Sequence, residues 1–139
     1  MDKQVIANKL ESLRRCINRV QTKTPASAQA LHSDLDLQDI LTVNLSRAVQ
    51  LCVDLSSHII ANSELSVPST MAEGFDKLVQ LKTINEHLAN RLKAAVGFRN
   101  IATHSYSEIN WDITYHICTE RLDDFRQFAV MVSLAANLD

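Results

Sequence analysis

Apolar residues fall at Ile6, Leu10, Leu13, Ile17 and Val20, a spacing of alternating four and three residues that lines one face of a helix. It predicts α-helix from Asp2 to about Thr22, and Pro25 ends the segment. A short helical piece is expected over Ser27–His32, after which Asp36 or Asp34 can cap a long helix running to about Ala61. Ile40, Leu41, Val43, Leu45, Ala48, Val49, Leu51, Cys52, Val53, Leu55, Ile59 and Ile60 cover more than one face of it. A helix that is apolar nearly all round is either central or lies at a subunit interface. Asn62–Ser69, closed by Pro68, is the main loop. Ser69 or Thr70 then caps a short helix through about Leu81, with Glu73 as an approximate capping-box partner. A third long helix is predicted from Asn85 to the neighbourhood of Thr103, its buried stripe marked by Ile84, Leu88, Leu92 and Ala95/Val96. A last one runs from about Asn110 to Ala136, with Ile113, Ile117, Leu122, Phe125, Phe128/Ala129 and Val132 at helical spacing.

The elements amount to an all-α bundle of four main helices plus a short one. The 139 residues suit one domain spanning the whole chain, 1–139. With 46% hydrophobic residues there is enough material for one core. Only Gly74, Gly97, Pro25 and Pro68 supply the residues of tight turns, which argues against a sheet of many short strands and excludes both common kinds of glycine-rich phosphate loop. Cys16, Cys52 and Cys118 stand apart inside apolar patterns, without any CxxC, so they are expected to be reduced core or interface residues. The N-terminus alternates charged and apolar residues, and no stretch of about 18 apolar residues occurs; a soluble, cytoplasmic protein without membrane association is expected.

The net charge of −2 advertises no global basic field. Its distribution is uneven, because residues 1–24 carry Lys3, Lys9, Arg14, Arg15, Arg19 and Lys23 against Asp2 and Glu11. Arg15, Arg19 and Lys23 recur every four residues, as a solvated face or a phosphate-facing stripe would. Asp54 and His58, four residues apart, are suited to a hydrogen-bonded pair that neutralises two polar groups near the core. No cluster of His, Asp or Glu has metal-ligand spacing, and no cofactor is expected.

The chemistry concentrates in Gly97-Phe98-Arg99-Asn100-Ile101-Ala102-Thr103-His104-Ser105-Tyr106. Arg99 follows Leu92 by seven residues and so lies within about 20° of the apolar face. A guanidinium there is costly to bury alone and should meet a carboxylate, another subunit or a bound anion. Gly97 weakens a helix unless something large must approach the backbone. His104 lies five residues after Arg99, about 140° round an ideal helix, so the two converge only through the reach of the arginine or if the helix ends first. Asn100, one turn before His104, can orient the imidazole or touch a ligand. Histidine moves protons near neutral pH and arginine holds phosphate bidentately, the two roles needed for metal-free RNA cleavage. The same three residues also serve as ordinary capping and packing groups. Tyr106 by itself is a packing tyrosine that hydrogen-bonds across the bundle.

The ordered set Arg-Asn-x-x-x-His-x-Tyr resembles the signature of HepT-type toxins of the HEPN superfamily of nucleotide-binding helical bundles. Val53-Asp54-Leu55-Ser56-Ser57-His58-Ile59-Ile60, then Val67-Pro68 before a short helix with Phe75, is similar to the same family. Ile101-Ala102-Thr103 departs from the commoner Leu-Val or Ile-Val before the histidine, at positions that look like packing. The resemblance implies a homodimeric, metal-independent endoribonuclease toxin of a type VII-like toxin-antitoxin system, with transfer RNA as the substrate class. Arg99 and His104 of both subunits would line one composite cleft, supported by Asn100. It further implies a minimal nucleotidyltransferase antitoxin, MntA, that attaches AMP to Tyr106. The alternative is a non-catalytic bundle that binds nucleotide or such a partner, using Arg99 as an anion clamp.

Overall fold

A computed structural model describes residues 1–138, and its helices start where side chains can bond the first free backbone amides. Asp2 caps α1 (Lys3–Lys23), and Ser27 caps the five-residue α2 (Ala28–His32). Asp34, rather than Asp36, caps α3 (Leu35–Ala61) by accepting from the Leu37 amide. Thr70 caps α4 (Met71–Gln80) and Asn85 caps α5 (Glu86–His104). A capping box closes α4: Thr70 Oγ1 accepts from the Glu73 amide, while Glu73 Oε2 reaches one residue beyond the cap to the Ser69 amide. Among the described residues there is no strand.

Beyond α5 the expected single helix is two. A 3-10 turn at Tyr106–Glu108 leads to α6 (Trp111–Glu120), capped by Asn110, and then to α7 (Leu122–Ala135). The break falls at Arg121, whose φ of −120° and ψ of 2° leave the helical region. Neither Gly nor Pro marks it. The two pieces are held differently: α6 packs chiefly on α2, with lesser contacts to α1 and α3, while α7 lies against α1, α3 and α5. Ile113, expected in the buried stripe, is 56% exposed, and α6 buries Thr114 and Cys118 instead.

α3 is the central helix, in contact with α1, α2, α4, α5, α6 and α7, which accounts for its apolar residues on several faces. α1 lies along it with Ile6, Leu13, Cys16, Ile17 and Val20 buried, and α5 contributes Leu88, Leu92 and Val96. All three cysteines are buried and free, and burial pushes the Cys118 thiol up to about 11. Two contacts invisible to helical periodicity tie the connections down. The buried Gln38 amide donates to the Leu31 and His32 carbonyls at the end of α2. The Lys77 ammonium, on a stem packed into the core, donates to the carbonyl and hydroxyl of Ser66 and so fixes the long loop before α4.

At the centre, Phe75 of α4 meets Phe128 of α7 edge to face with ring centroids 6.0 Å apart, and both are fully buried. Phe128→Ala is expected to cost about 3–5 kcal/mol through lost burial and a cavity that the helices cannot collapse. Chemical denaturation followed by circular dichroism measures it, and a loss under about 1 kcal/mol would show that this pair does not anchor the core.

Candidate functional site

α5 carries the motif to its last turn. His104 is the final helical residue, so the helix does not end early enough to swing the imidazole round to Arg99. The two side chains stay about 140° apart and about 7.5 Å along the axis, as an unbroken helix requires. Arg99 is half-buried, and no carboxylate among the described residues forms an ion pair with it; its guanidinium makes a long hydrogen bond of 3.4 Å to Asn100 Oδ1. Asn100 thus contacts the guanidinium, while the exposed His104 makes no side-chain hydrogen bond within the described chain. Of the three partners expected for Arg99, the carboxylate is not supplied by the described residues of this copy. Gly97 is open as well: a Cβ built there meets nothing within 4 Å, so no part of the chain itself demands a glycine.

Past Ser105, which caps α5 by donating its amide to the Ile101 carbonyl, the 3-10 turn swings Tyr106 back over the start of α3. The tyrosine is 42% exposed. Its hydroxyl donates to Asp39 Oδ1 at 2.6 Å, and its ring meets Trp111 edge to face at 6.0 Å. Partial burial, followed by the hydrogen bond and like charge of Asp39, pushes the phenol up to about 12. Asp39 and Trp111 are members of this site that sequence patterns do not single out. Asp39 lies 67 residues before Tyr106, and only the fold brings them together.

An apolar groove of about 560 Å³ runs beside the motif between α5 and α6. Gly97, Phe98, Ile101, Ile109 and Ile113 line it, and Ile101 and Ile113 are exposed there by 45% and 56%. The basic stripe of α1 lies elsewhere. Arg15 and Arg19 face Arg47 and Asn44 of α3 across a concavity of about 620 Å³, with Arg15 also 3.5 Å from Glu11. Lys23 does not line it.

Asp54 and His58 do not pair. Asp54 Oδ1 accepts from Gln50 one turn earlier, and its other oxygen lies 3.6 Å from the Lys9 ammonium of α1. With both carboxylate oxygens engaged by groups on their own side, the imidazole one turn later is left without that partner. Among the described residues no three His, Cys, Asp or Glu side chains come together as a metal site requires, and no helix is long and apolar enough to cross a membrane.

Residues 9–132 match the family described as "Ribonuclease HepT-like". The chain is 38% identical over 124 residues to the "mRNA nuclease HepT" of Shewanella oneidensis, covering 89% of this chain and 92% of that protein. It superposes with a TM-score of 0.89 on the solved structure of the tri-AMPylated Shewanella oneidensis HEPN toxin in complex with MNT antitoxin, at 35% identity over 96% of this chain and 99% of that one. A toxin-antitoxin crystal structure with AMP-PNP matches equally well, with a TM-score of 0.89, 34% identity, and 94% and 98% of the two chains covered.

Proposed function

Because the chain belongs to the HepT-like ribonuclease family, we propose that it is the toxin of a toxin-antitoxin pair, a metal-independent endoribonuclease neutralised by AMP transfer to Tyr106. The observation that carries this reading is the end of α5, where Arg99 and His104 have no ion pair among the described residues and Tyr106 emerges just beyond them. Arg99 is the phosphate clamp. Its planar fork matches two phosphate oxygens and stabilises the charge that builds on phosphorus. His104 moves the proton, and Asn100 supports the guanidinium.

In the cleavage step the 2′-oxygen of a ribose bonds to the adjacent phosphorus while the bond from phosphorus to the 5′-oxygen of the next nucleotide breaks. One imidazole takes the 2′-hydroxyl proton and another protonates the leaving oxygen, giving a 2′,3′-cyclic phosphate and a 5′-hydroxyl end. That chemistry calls for two histidines, and a single copy offers one at this position, turned away from its own arginine. A homodimer supplies the pair: Arg99 and His104 of both copies then line one cleft, and the exposed apolar groove beside the motif gives α5 an adhesive flank. The groove of Arg15, Arg19 and Arg47 offers fixed positive charge to an RNA strand.

Light scattering on the purified chain at micromolar concentration is expected to report twice the 15.6 kDa chain mass; a species of chain mass alone overturns the composite cleft. The activity is tested by incubating the chain with total RNA, with and without EDTA, and mapping the ends. Fragments ending in a cyclic phosphate, undiminished by EDTA, are expected, and strict metal dependence would sink the mechanism. Transfer RNA is the substrate we propose, whereas the name of the Shewanella relative specifies mRNA; end mapping on both pools separates the two.

A further inference from the structure

The Tyr106 hydroxyl is held as well as exposed. Two elements far apart in sequence grip it: Asp39 in the second turn of α3 accepts its proton at 2.6 Å, and Trp111 at the start of α6 braces the ring from the side. Thr42, three residues further along α3, is 4% exposed, and its hydroxyl oxygen has no hydrogen-bond partner. It lies near enough to ease the phenol's ionisation slightly without completing a regular hydrogen bond. The phenol is thus fixed in one direction, with a single carboxylate at the end of its O–H bond.

We infer that Asp39 is the proton acceptor when AMP is transferred to Tyr106, a role that rests on the reading of Tyr106 as the modified residue. In that step the phenolic oxygen bonds to the α-phosphorus of ATP held by the nucleotidyltransferase. The bond from that phosphorus to the bridging oxygen of pyrophosphate breaks, and pyrophosphate leaves with the electron pair. The phenolic proton passes to the Asp39 carboxylate and from there to solvent. A base is needed because a phenol pushed up to about 12 is almost wholly protonated near neutrality. The resting hydrogen bond and the later proton transfer agree. Two negative charges 2.6 Å apart are unfavourable, so the phenol keeps its proton at rest. Once the oxygen has begun to bond phosphorus its proton becomes strongly acidic, and the carboxylate already lies on the line along which it departs. Among the described residues no other carboxylate or imidazole hydrogen-bonds this hydroxyl. Titratable groups close in sequence to the pair are His104 and Glu108, each two residues from Tyr106, and Asp36, one turn before Asp39, with the His32–Asp112 pair next to Trp111.

The test uses the full chain with a minimal nucleotidyltransferase of the MntA kind, ATP and magnesium, following the intact mass over time. Asp39→Asn keeps an acceptor oxygen at the same reach but takes up no proton at neutral pH. It is expected to slow addition of the first AMP by about 10²-fold or more. The lost rate should return as pH rises, because hydroxide must then remove the proton, whereas the wild-type rate should change little across neutral pH; Asp39→Glu should recover part of it. First addition in Asp39→Asn at the wild-type rate overturns the inference, and so does a slowing that is the same at every pH, which would mark Asp39 as a positioning residue only. A wild-type chain that gains no AMP would instead remove the reading of Tyr106 itself, and this inference with it.

Discussion

Arg99→Ala and His104→Ala are each expected to lower RNA cleavage by about 10²-fold or more, with helical content and melting temperature close to wild type. The separation of activity from stability follows from what the side chains touch. His104 is exposed at the last turn of α5 and makes no side-chain hydrogen bond within the described chain, and the Arg99 guanidinium makes a long hydrogen bond of 3.4 Å to Asn100. Truncating them therefore leaves no buried partner unsatisfied. Arg99→Lys should recover little, because an ammonium is a point charge and does not hold two phosphate oxygens in a plane. A composite cleft adds a sharper expectation. A dimer that pairs a wild-type copy with a His104→Ala copy keeps both arginines but only one imidazole, so it should cleave well below the half of the wild-type rate that two independent sites would leave. Wild-type rates from either single variant would show that the end of α5 is not the catalytic centre.

What the sequence disclosed and what it hid divide along a physical line. Local rules carry far: the apolar spacing of Ile6 to Val20, the starts expected at Ser27, Asn85 and Asn110, and the cap at Ser69 or Thr70 place most helix starts within a residue or two. The break at Arg121 has no local signal. The apolar period crosses it without interruption, and it exists because α6 packs chiefly on α2 while α7 packs chiefly on α1, α3 and α5, a tertiary demand that outweighs propensity. Ile113 fails for the same reason: a hydrophobic residue at the right spacing turns outward once the helix rotates to bury Thr114 and Cys118. The Asp54–His58 pair illustrates a competition that spacing alone does not rank, since Lys9 from a different helix reaches the carboxylate. The motif from Arg99 to Tyr106 was visible because it is contiguous. Asp39 was not, being part of the site only after 67 residues of chain fold back. Even the long apolar helix is open to two readings, and its place at the centre of one copy accounts for most of its buried apolar residues, while Val43 stays 46% exposed. The case for a second copy therefore rests on the half-buried Arg99, which has no ion pair among the described residues, on the exposed His104 and on the apolar groove between α5 and α6.

Tyr106→Phe is expected to leave a chain that gains no AMP from its nucleotidyltransferase and stays toxic in the partner's presence. The change deletes one hydroxyl and keeps the ring that meets Trp111. Loss of the bond to Asp39 should cost no more than about 1 kcal/mol, since the tyrosine is 42% exposed and water can replace its partner. The variant therefore folds, and its phenotype reports the modification alone. The physics of neutralisation runs through the same geometry. Tyr106 stands two residues past His104, so under the proposed modification each attached nucleotide would bring a negatively charged phosphate and a base to the mouth of the proposed cleft. There the phosphate can occupy the unpaired Arg99, and it repels the phosphate of an incoming RNA strand while the base blocks its path. Modified chain is accordingly expected to bind RNA far more weakly than unmodified chain, with the deficit shrinking as salt screens the added charge. Intact mass of the co-expressed pair, followed by RNA binding at two salt concentrations, decides the matter. AMP appearing on Tyr106→Phe, or protection of cells by the partner while the wild-type chain stays unmodified, would show that neutralisation proceeds through a different group or by simple occlusion.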